Sequence, residues 1–242
     1  MAIDDRRRHE ARTLRVSAWK GDRHVVVLSP APDRSPPGAG AIAAELRALA
    51  AGGVHRVLTA ALRAPDLEPF LANGFTEADR LHLLRHDLTD LHALPAPGGH
   101  LRRARFRDRP AVLHLDGLAF DPFWALDAAG LRDALDATPS RRFRVAQDRD
   151  RTVTGYAVTG RAGGQGYLQR LAVHPDHEGH GLGRALVADA LRWLRRRGAA
   201  HAFVNTQVVN ERAYALYRAC GFVPEPSGLT VLARDLAPEP QP

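Results

Sequence analysis

The 242-residue sequence predicts an α/β fold in which short strands and helices alternate along the chain. Runs rich in Val and Leu, short enough for strands, alternate with segments whose apolar residues follow a helical period. Clusters of Gly, Pro and Asp separate these segments. Hydrophobic residues make up 45% of the chain, which is enough for a packed core. Such alternation is typical of a mixed sheet covered by helices.

The predicted elements fall into two halves. The N-terminal half should contain strands at Val25–Leu28 and Val54–Ala60, helices at Ile42–Ala51 and Asp66–Ala72, and one or two strands within Phe75–Leu88. The C-terminal half should contain strands at Leu101–Arg107, Arg142–Gln147, Thr152–Thr159, Gly166–Val173, His201–Gln207 and Leu229–Asp235. Its predicted helices are Pro110–Leu118, Ala128–Ala137, Gly183–Arg197 and Glu211–Cys220.

A Pro- and Gly-rich segment divides the chain. Residues 95–99 (PAPGG) contain no apolar period and are predicted to be a linker. We therefore expect an N-terminal domain at 1–94 and a second domain at 100–237. The remaining residues, 238–242, should form a disordered tail.

The two halves share a faint internal repeat. Glu45–Phe75 resembles Ala190–Phe222, and both are predicted to run helix, strand, helix, Gly-Phe, strand. Duplication of a supersecondary unit explains this similarity, and so does the general likeness of any two α/β units.

Composition excludes several classes of protein. No run approaches the roughly 20 apolar residues of a membrane-spanning helix. The first residues lack the apolar core of a signal peptide, and the single cysteine excludes an internal disulfide framework. We therefore expect a cytoplasmic protein without a membrane partner.

The basic charge is compatible with two kinds of partner. The formal net charge is +7, and all basic residues except Lys20 are arginines, as is typical of a GC-rich coding bias. Nucleic acid is one class of partner, but the arginines are scattered, and a small acidic ligand explains a basic surface equally well. Nucleic-acid binding is therefore the less favoured hypothesis.

A glycine-rich turn follows a predicted strand and precedes a long helix. Gly179, Gly181 and Gly183 would let a ligand approach the backbone closely, and the helix N-terminus would offer unpaired N–H donors to a phosphate. The spacing does not match a Walker A loop or a dinucleotide fingerprint. By itself, the turn could also be a plain connector.

A second motif follows the next predicted strand. Asn210 is placed to cap a short helix, and Ala213 and Tyr217 follow on the same helix face. The helix therefore presents Tyr217 from its second turn.

Together the two motifs resemble the GNAT superfamily of N-acetyltransferases over about Leu101–Asp235. The loop match comprises Leu171, Ala172, Val173, His174 and Pro175, followed by Gly179, His180, Gly181, Leu182 and Gly183. The second match comprises Asn210, Ala213, Leu216, Tyr217, Gly221 and Phe222. The resemblance implies a GNAT fold and transfer of an acetyl group from acetyl-CoA, as co-substrate, to a primary amine by direct attack in a ternary complex. We expect a monomer or homodimer without a metal site.

The resemblance also implies roles for single residues. The backbone of Leu171, Ala172 and Val173 would pair with the pantetheine arm, and that of Val173 would also polarise the thioester carbonyl. Gly179, His180, Gly181, Leu182, Gly183 and Arg184 would hold the pyrophosphate, and Asn210 would contact the cofactor. Tyr217 would be the general acid that protonates the leaving thiolate.

The sequence departs from the family pattern at two positions of the site. Glu178 stands where the family usually has Gln or Arg, so Glu178→Gln is expected to tighten acetyl-CoA binding. Asn205 matches the strand position at which some relatives have a Glu that acts as the general base, and an Asn side chain cannot take up the proton. Several alternatives remain for the general base. They are Asp116, Asp121 and Asp127, the loop residues His174, Asp176 and His177, and a water chain. A non-catalytic acyl-CoA-binding regulator is therefore the second functional hypothesis.

The N-terminal half lacks both cofactor motifs. Its segment before the helix does not reproduce the glycine spacing, and Phe70 stands at the position that matches Tyr217. We therefore predict that this half is a truncated, degenerate GNAT-like unit.

Overall fold

A computed structural model describes residues 13–31, 34–94 and 100–236. Contacts divide the chain into two compact units. Unit 1 comprises residues 1–81 and 226–242, and unit 2 comprises residues 82–225. The expected linker at 95–99 and the expected tail at 238–242 lie outside the described residues.

Unit 1 is built on a strand–helix–strand crossover. Its elements are β1 (Leu14–Trp19), β2 (Asp22–Pro30), α1 (Ala39–Ala51), β3 (Arg56–Thr59), α2 (Glu68–Leu71), the first part of β4 (Thr76–His86), and β11 (Leu229–Asp235). Strands β1 and β2 are antiparallel, β3 is parallel to β2, and β11 is antiparallel to β3 and β4. The core contains Leu28, Ile42, Phe70, Phe75 and Leu232, each at most 3% exposed.

The last strand, β11, belongs to unit 1 rather than to the unit that precedes it in sequence. Ala233 of β11 lies opposite Leu58 of β3, and Leu229 lies opposite Leu81 of β4. The compact units thus divide the chain at 81/82 and 225/226, whereas the sequence predicted a division at 95–99. The difference arises because strand pairing joins residues that are distant in sequence.

Unit 2 contains a mixed sheet with helices on both faces. Its elements after β4 are β5 (His100–Arg103), α3 (Arg109–Ala119), α4 (Ala128–Asp136), β6 (Ser140–Gln147), β7 (Val153–Ala162), β8 (Gln165–Val173), α5 (Leu182–Arg196), β9 (His201–Gln207), α6 (Glu211–Ala219) and β10 (Val223–Pro224). The strand order is β4-β9-β8-β7-β6-β5, and β10 pairs with β4. The pairs β5–β6, β6–β7 and β7–β8 are antiparallel, and the pair β8–β9 is parallel.

Two hydrophobic clusters form the core of unit 2. One cluster includes Leu186, Leu191 and Leu194 of α5 together with Tyr217 and Phe222. The other joins α3 and α4 to the sheet and contains Val112, Leu115, Leu131, Val145 and Tyr156. The strands between them contribute side chains to both clusters because successive residues point to opposite faces.

Most predicted elements are confirmed, with shifted ends. Strands His201–Gln207 and Leu229–Asp235 have the predicted bounds, whereas β5 ends at Arg103 instead of Arg107 because a turn of 3₁₀ helix follows at Phe106–Asp108. Strand β1 was not predicted. None of the helices among the described residues is long and apolar enough to span a membrane.

Candidate functional site

Strands β8 and β9 pair over only part of their length. Their parallel register covers Gln165–Tyr167 and His201–Phe203, although β8 continues to Val173 and β9 to Gln207. Over Leu168–Val173, the described register of β8 has partners in β7 alone. One backbone edge of the second half of β8 therefore has no paired strand in this register.

The hydrogen-bond pattern shows which backbone groups face that open edge. The amide of His174 donates to the Thr154 carbonyl over 2.8 Å. Because hydrogen-bonded and non-hydrogen-bonded pairs alternate in an antiparallel ladder, the pairs Val173–Gly155 and Leu171–Ala157 are of the second kind. Leu171 and Val173 therefore direct their N–H and C=O groups away from β7, whereas the groups of Ala172 face β7.

The glycine-rich turn lies directly beyond this strand. A 3₁₀ turn at Pro175–His177 leads to Gly179 and Gly181, whose φ angles are +77° and +78°. Gly181 is the N-cap of α5 and makes no side-chain capping bond, so the first N–H groups of the helix have no helical partner. A Cβ atom on either glycine would meet no atom within 4 Å. The turn therefore presents open space beside backbone donors, as an anion site requires.

The other residues of the predicted loop differ in their surroundings. His180 and Arg184 are exposed, and Leu182 packs against the cluster that contains Tyr217. A Cβ atom on Gly183 would lie 3.1 Å from Leu216 Cδ2. Gly183 therefore permits the close approach of α5 and α6, in addition to any contact with a ligand.

Helix α6 begins as the sequence predicted. The side-chain oxygen of Asn210 accepts a hydrogen bond from the Ala213 amide at 2.9 Å, which satisfies one of the free donors of the first turn. Tyr217 lies two turns further along and is 6% exposed. Its ring packs edge-on against Phe222, with 5.8 Å between the ring centroids.

One apolar cluster brings the predicted residues together. Tyr217 belongs to it, and Leu171, Val173 and Leu182 pack against it. Ala172 instead faces the cluster formed by α3 and α4. The end of β8, the start of α5 and the tyrosine of α6 thus share one apolar core.

The Tyr217 hydroxyl is neutral at neutral pH, as a tyrosine is at its ordinary pKa of 10. Burial raises the pKa of Tyr217 well above that value, Cys220 raises it further, and Arg170 opposes the shift. The side chain is therefore a hydrogen-bond and proton donor whose acidity the burial lowers.

A buried polar network beneath β8 was not foreseen from the sequence. Arg170 donates from Nε and Nη2 to the carboxylate of Asp116, both over 2.8 Å, and from Nη2 to the Trp124 carbonyl. Asp116 exposes no surface and also accepts from the Tyr156 hydroxyl and, at 2.5 Å, from the Leu126 amide. Charged residues at 116 and 170 were visible in the sequence, but no local signal linked them.

The aspartates that were candidates for a general base have structural partners. Both oxygens of Asp116 are engaged in the network described above. Asp121 accepts from the Phe123 amide at 2.8 Å, and Asp127 caps α4 by accepting from the Gly130 amide at 2.7 Å. Asn205 lies exposed on β9. The three carboxylates thus each accept hydrogen bonds that hold local structure, and Asn205 has no carboxylate to act as a base.

Glu178, the departure from the family pattern, forms an ion pair. Its carboxylate accepts a hydrogen bond from Nη1 of Arg212, which lies in the first turn of α6. The carboxylate beside the glycine turn is therefore neutralised, which the sequence did not indicate.

A model of the acetyltransferase (GNAT) family matches residues 109–222. This segment belongs to the GNAT family. It contains the partly paired strands β8 and β9, the glycine turn and the Asn210–Tyr217 helix described above, and it lies within unit 2.

Curated GNAT relatives extend over parts of the chain. A mycothiol acetyltransferase of Frankia alni is 32% identical over an alignment of 186 residues that covers 68% of this chain and 54% of that protein. A mycothiol acetyltransferase of Saccharomonospora viridis is 32% identical over 48% of this chain and 42% of that protein. The [ribosomal protein bS18]-alanine N-acetyltransferase of Escherichia coli is 34% identical over 29% of this chain and 47% of that protein. The chain thus spans about half the length, or less, of these relatives.

Solved GNAT structures share the fold. A tandem GNAT protein from the clavulanic acid biosynthesis pathway has a TM-score of 0.69 at 17% identity and covers 94% of this chain and 79% of its own. A GCN5-related N-acetyltransferase from Sphaerobacter thermophilus has a TM-score of 0.63 at 14% identity, over 92% and 76% of the two chains. The predicted GNAT fold of mixed α/β type is confirmed.

Proposed function

We propose that this GNAT protein is an N-acetyltransferase that moves an acetyl group from acetyl-CoA to a primary amine. The observation that supports this most directly is the buried Tyr217, which shares an apolar cluster with the end of strand β8, whose backbone edge is open. This arrangement combines a proton donor with a place for an extended thioester arm.

The cofactor would lie along β8 and the glycine turn. Leu171 and Val173 would hydrogen-bond the pantetheine arm through the groups that face the open edge. The backbone groups of Ala172 face β7, so the expected pairing of Ala172 with the arm is not proposed. Gly179, His180, Gly181, Leu182, Gly183 and Arg184 would surround the pyrophosphate, with Asn210 close to the arm. The N–H of Val173 would polarise the thioester carbonyl.

The reaction would proceed in one ternary complex. The nitrogen of a neutral amine forms a bond to the thioester carbon, and the carbon–sulfur bond breaks. Tyr217 donates its proton to the departing sulfur, because an unprotonated thiolate in a buried site is costly. We propose that water takes the proton that the amine loses and that solvent returns a proton to Tyr217 after the thiol leaves. Both oxygens of Asp116 are engaged by Arg170, and Asp121 and Asp127 accept hydrogen bonds from backbone amides.

Turnover and binding of the Tyr217→Phe variant test this mechanism. CoA release should be followed with a panel that includes an alanine α-amine and an aminoglycoside, acceptors named for relatives. Loss of the acid should lower kcat about 100-fold or more and leave the Kd for acetyl-CoA nearly unchanged. The matched control is Tyr167→Phe, which removes a hydroxyl that donates a hydrogen bond to Gln165 at the far end of β8. A Tyr217→Phe enzyme with full activity would exclude the acid role.

A non-catalytic acyl-CoA-binding regulator is the second candidate. The hydrogen-bonded aspartates and the uncharged Asn205 favour it, because only the loop residues His174, Asp176 and His177, and water, then remain as bases. Tight acetyl-CoA binding without turnover across a wide amine panel would support this role over the enzyme.

We further propose that unit 1 derives from a degenerate GNAT-like unit. The Phe75 amide donates to the Phe70 carbonyl at 3.3 Å, and the Phe222 amide donates to the Tyr217 carbonyl at 3.1 Å. The intervening glycines, Gly74 and Gly221, both have positive φ, and in both pairs the two rings pack edge-on. Phe70 thus occupies the place of Tyr217 without its hydroxyl, which supports a duplicated unit that has no acid.

A further inference from the structure

The ion pair between Glu178 and Arg212 lies at the entrance to the glycine turn. Glu178 immediately precedes Gly179, and Arg212 follows the helix cap Asn210 by two residues. The Glu178 side chain is 33% exposed and that of Arg212 is 64% exposed. Solvent, and therefore a ligand, can reach both groups.

The pair fixes a cation beside the open backbone donors of α5. Nη1 of Arg212 donates to Oε2 of Glu178, which leaves other N–H donors of the planar guanidinium for a second acceptor. Guanidinium groups bind phosphate oxygens through two parallel hydrogen bonds, and an acidic partner on one side does not block the other edge.

The charge balance at the turn requires such a cation. A lone carboxylate next to the turn would repel a pyrophosphate, whereas the pair has no net charge and leaves the guanidinium 64% exposed to a ligand. The N-terminal end of α5 adds a partial positive charge.

We propose that Arg212, held at the glycine turn by Glu178, binds a phosphate of acyl-CoA, namely the pyrophosphate. This inference rests on the proposed function, because it assumes that the turn accepts acyl-CoA. It assigns to α6 a phosphate contact in addition to the proton donor Tyr217.

A simpler role would be that Arg212 only neutralises Glu178. The two roles differ once Glu178 has lost its charge. If Arg212 is only a counter-ion, removing it from a Glu178→Gln protein costs no affinity. If Arg212 contacts phosphate, the cost persists.

The decisive measurement is the Kd for acetyl-CoA in a four-protein cycle by calorimetry. The proteins are the wild type, Glu178→Gln, Arg212→Ala and the double variant. Glu178→Gln keeps a side-chain acceptor and should tighten binding by less than about threefold, since the charge it removes is already paired. Arg212→Ala should weaken binding about tenfold or more, and the same change on Glu178→Gln should weaken it about fivefold. Arg195→Ala, an exposed arginine in the last turn of α5, should leave Kd unchanged.

Two further ligands identify the group that Arg212 contacts. With acetyl-pantetheine, which lacks all phosphates, Arg212→Ala should have no effect. With 3′-dephospho-acetyl-CoA, a retained effect assigns the contact to the pyrophosphate, as proposed. Loss of the effect with this ligand would overturn the pyrophosphate assignment and place the contact at the 3′-phosphate.

Two results would overturn the phosphate role of Arg212. One is an unchanged Kd when Arg212→Ala is added to Glu178→Gln, and the other is an equal loss with acetyl-pantetheine. Failure of the proposed function is distinguishable, because the wild-type protein would then turn over no amine of the panel. If it still binds acetyl-CoA, the Arg212 cycle can be measured; if it does not bind acetyl-CoA, the glycine turn is not an acyl-CoA site.

Discussion

Asp116 of α3 and Arg170 of β8 form a buried, two-point ion pair across 54 residues of sequence. The guanidinium carbon of Arg170 also lies 3.4 Å from the centre of the Phe120 ring. Leu171, the next residue along the strand, directs its backbone to the open edge. The ion pair therefore fixes the strand at the point where the thioester arm is proposed to bind.

Removal of one partner of this pair should be costly. Asp116→Ala leaves a buried guanidinium without its counter-ion and should lower the free energy of unfolding by about 3 kcal/mol. Replacing both partners, as Asp116→Leu with Arg170→Met, should recover much of that loss. Urea unfolding checks both values. Asp136→Ala, which breaks the exposed pair with Arg141, should cost less than about 0.5 kcal/mol, and an equally small effect of Asp116→Ala would contradict the role of the buried pair.

Alanine variants of the two glycines at the ends of α5 distinguish the cost of backbone strain from an effect on ligand binding. Gly181 and Gly198 have φ angles of +78° and +72°, and a Cβ atom on either would meet nothing within 4 Å. Each substitution by alanine should therefore cost about 1 kcal/mol of stability. Only Gly181→Ala should also weaken acetyl-CoA binding, because its methyl group would occupy the approach to the helix donors. Thermal unfolding and calorimetry measure the two effects, and equal Kd values for both variants would argue against a phosphate at this turn.

The ion pair of Arg102 with Asp108 should give an acid-dependent stability. Arg102 donates to both carboxylate oxygens at 2.7 Å, and these hydrogen bonds lower the pKa of Asp108 from 3.8 to about 2. Because the pKa is lower in the folded state, the stabilisation is present above about pH 4 and is lost as the pH falls towards 2. After screening of the partly exposed Arg102, it should amount to about 1–2 kcal/mol. Unfolding at a series of pH values should show this slope in the wild type and not in Asp108→Asn; an unchanged slope would disprove the assignment.

The placement of β11 predicts which unit a C-terminal deletion damages. Removing residues 226–242 deletes the strand between β3 and β4, and with it the buried Leu232 and Leu236. Hydrogen exchange of the β3 amides should then accelerate, while the β7 amides of unit 2 stay protected. Deleting only residues 237–242 is the control and should change neither. Rapid exchange in β7 with retained protection in β3 would be the opposite of this expectation.

Local patterns in the sequence determined which segments form helices and strands. Strand β9 and helix α6 follow the predicted apolar pattern, and Asn210 caps α6 because capping depends only on the next three residues. The glycine turn was predictable for the same reason, since the positive φ angles of Gly179 and Gly181 suit residues without a Cβ atom. Strand β1 escaped prediction because it is mostly half-exposed, and its pairing with β2 defines it.

The tertiary structure alone decided which residues meet. Glu178 lies 34 residues from Arg212 in sequence, and Asp116 lies 54 residues from Arg170, so no local period links either pair. The same holds for β11, whose pattern marks it as a strand and does not specify β3 and β4 as its neighbours. The period of apolar residues along the sequence determines whether a segment is a helix or a strand, because it depends on residues close in sequence. Long-range packing determines which strands pair and which charged side chains meet, and so it sets the charge balance of the site.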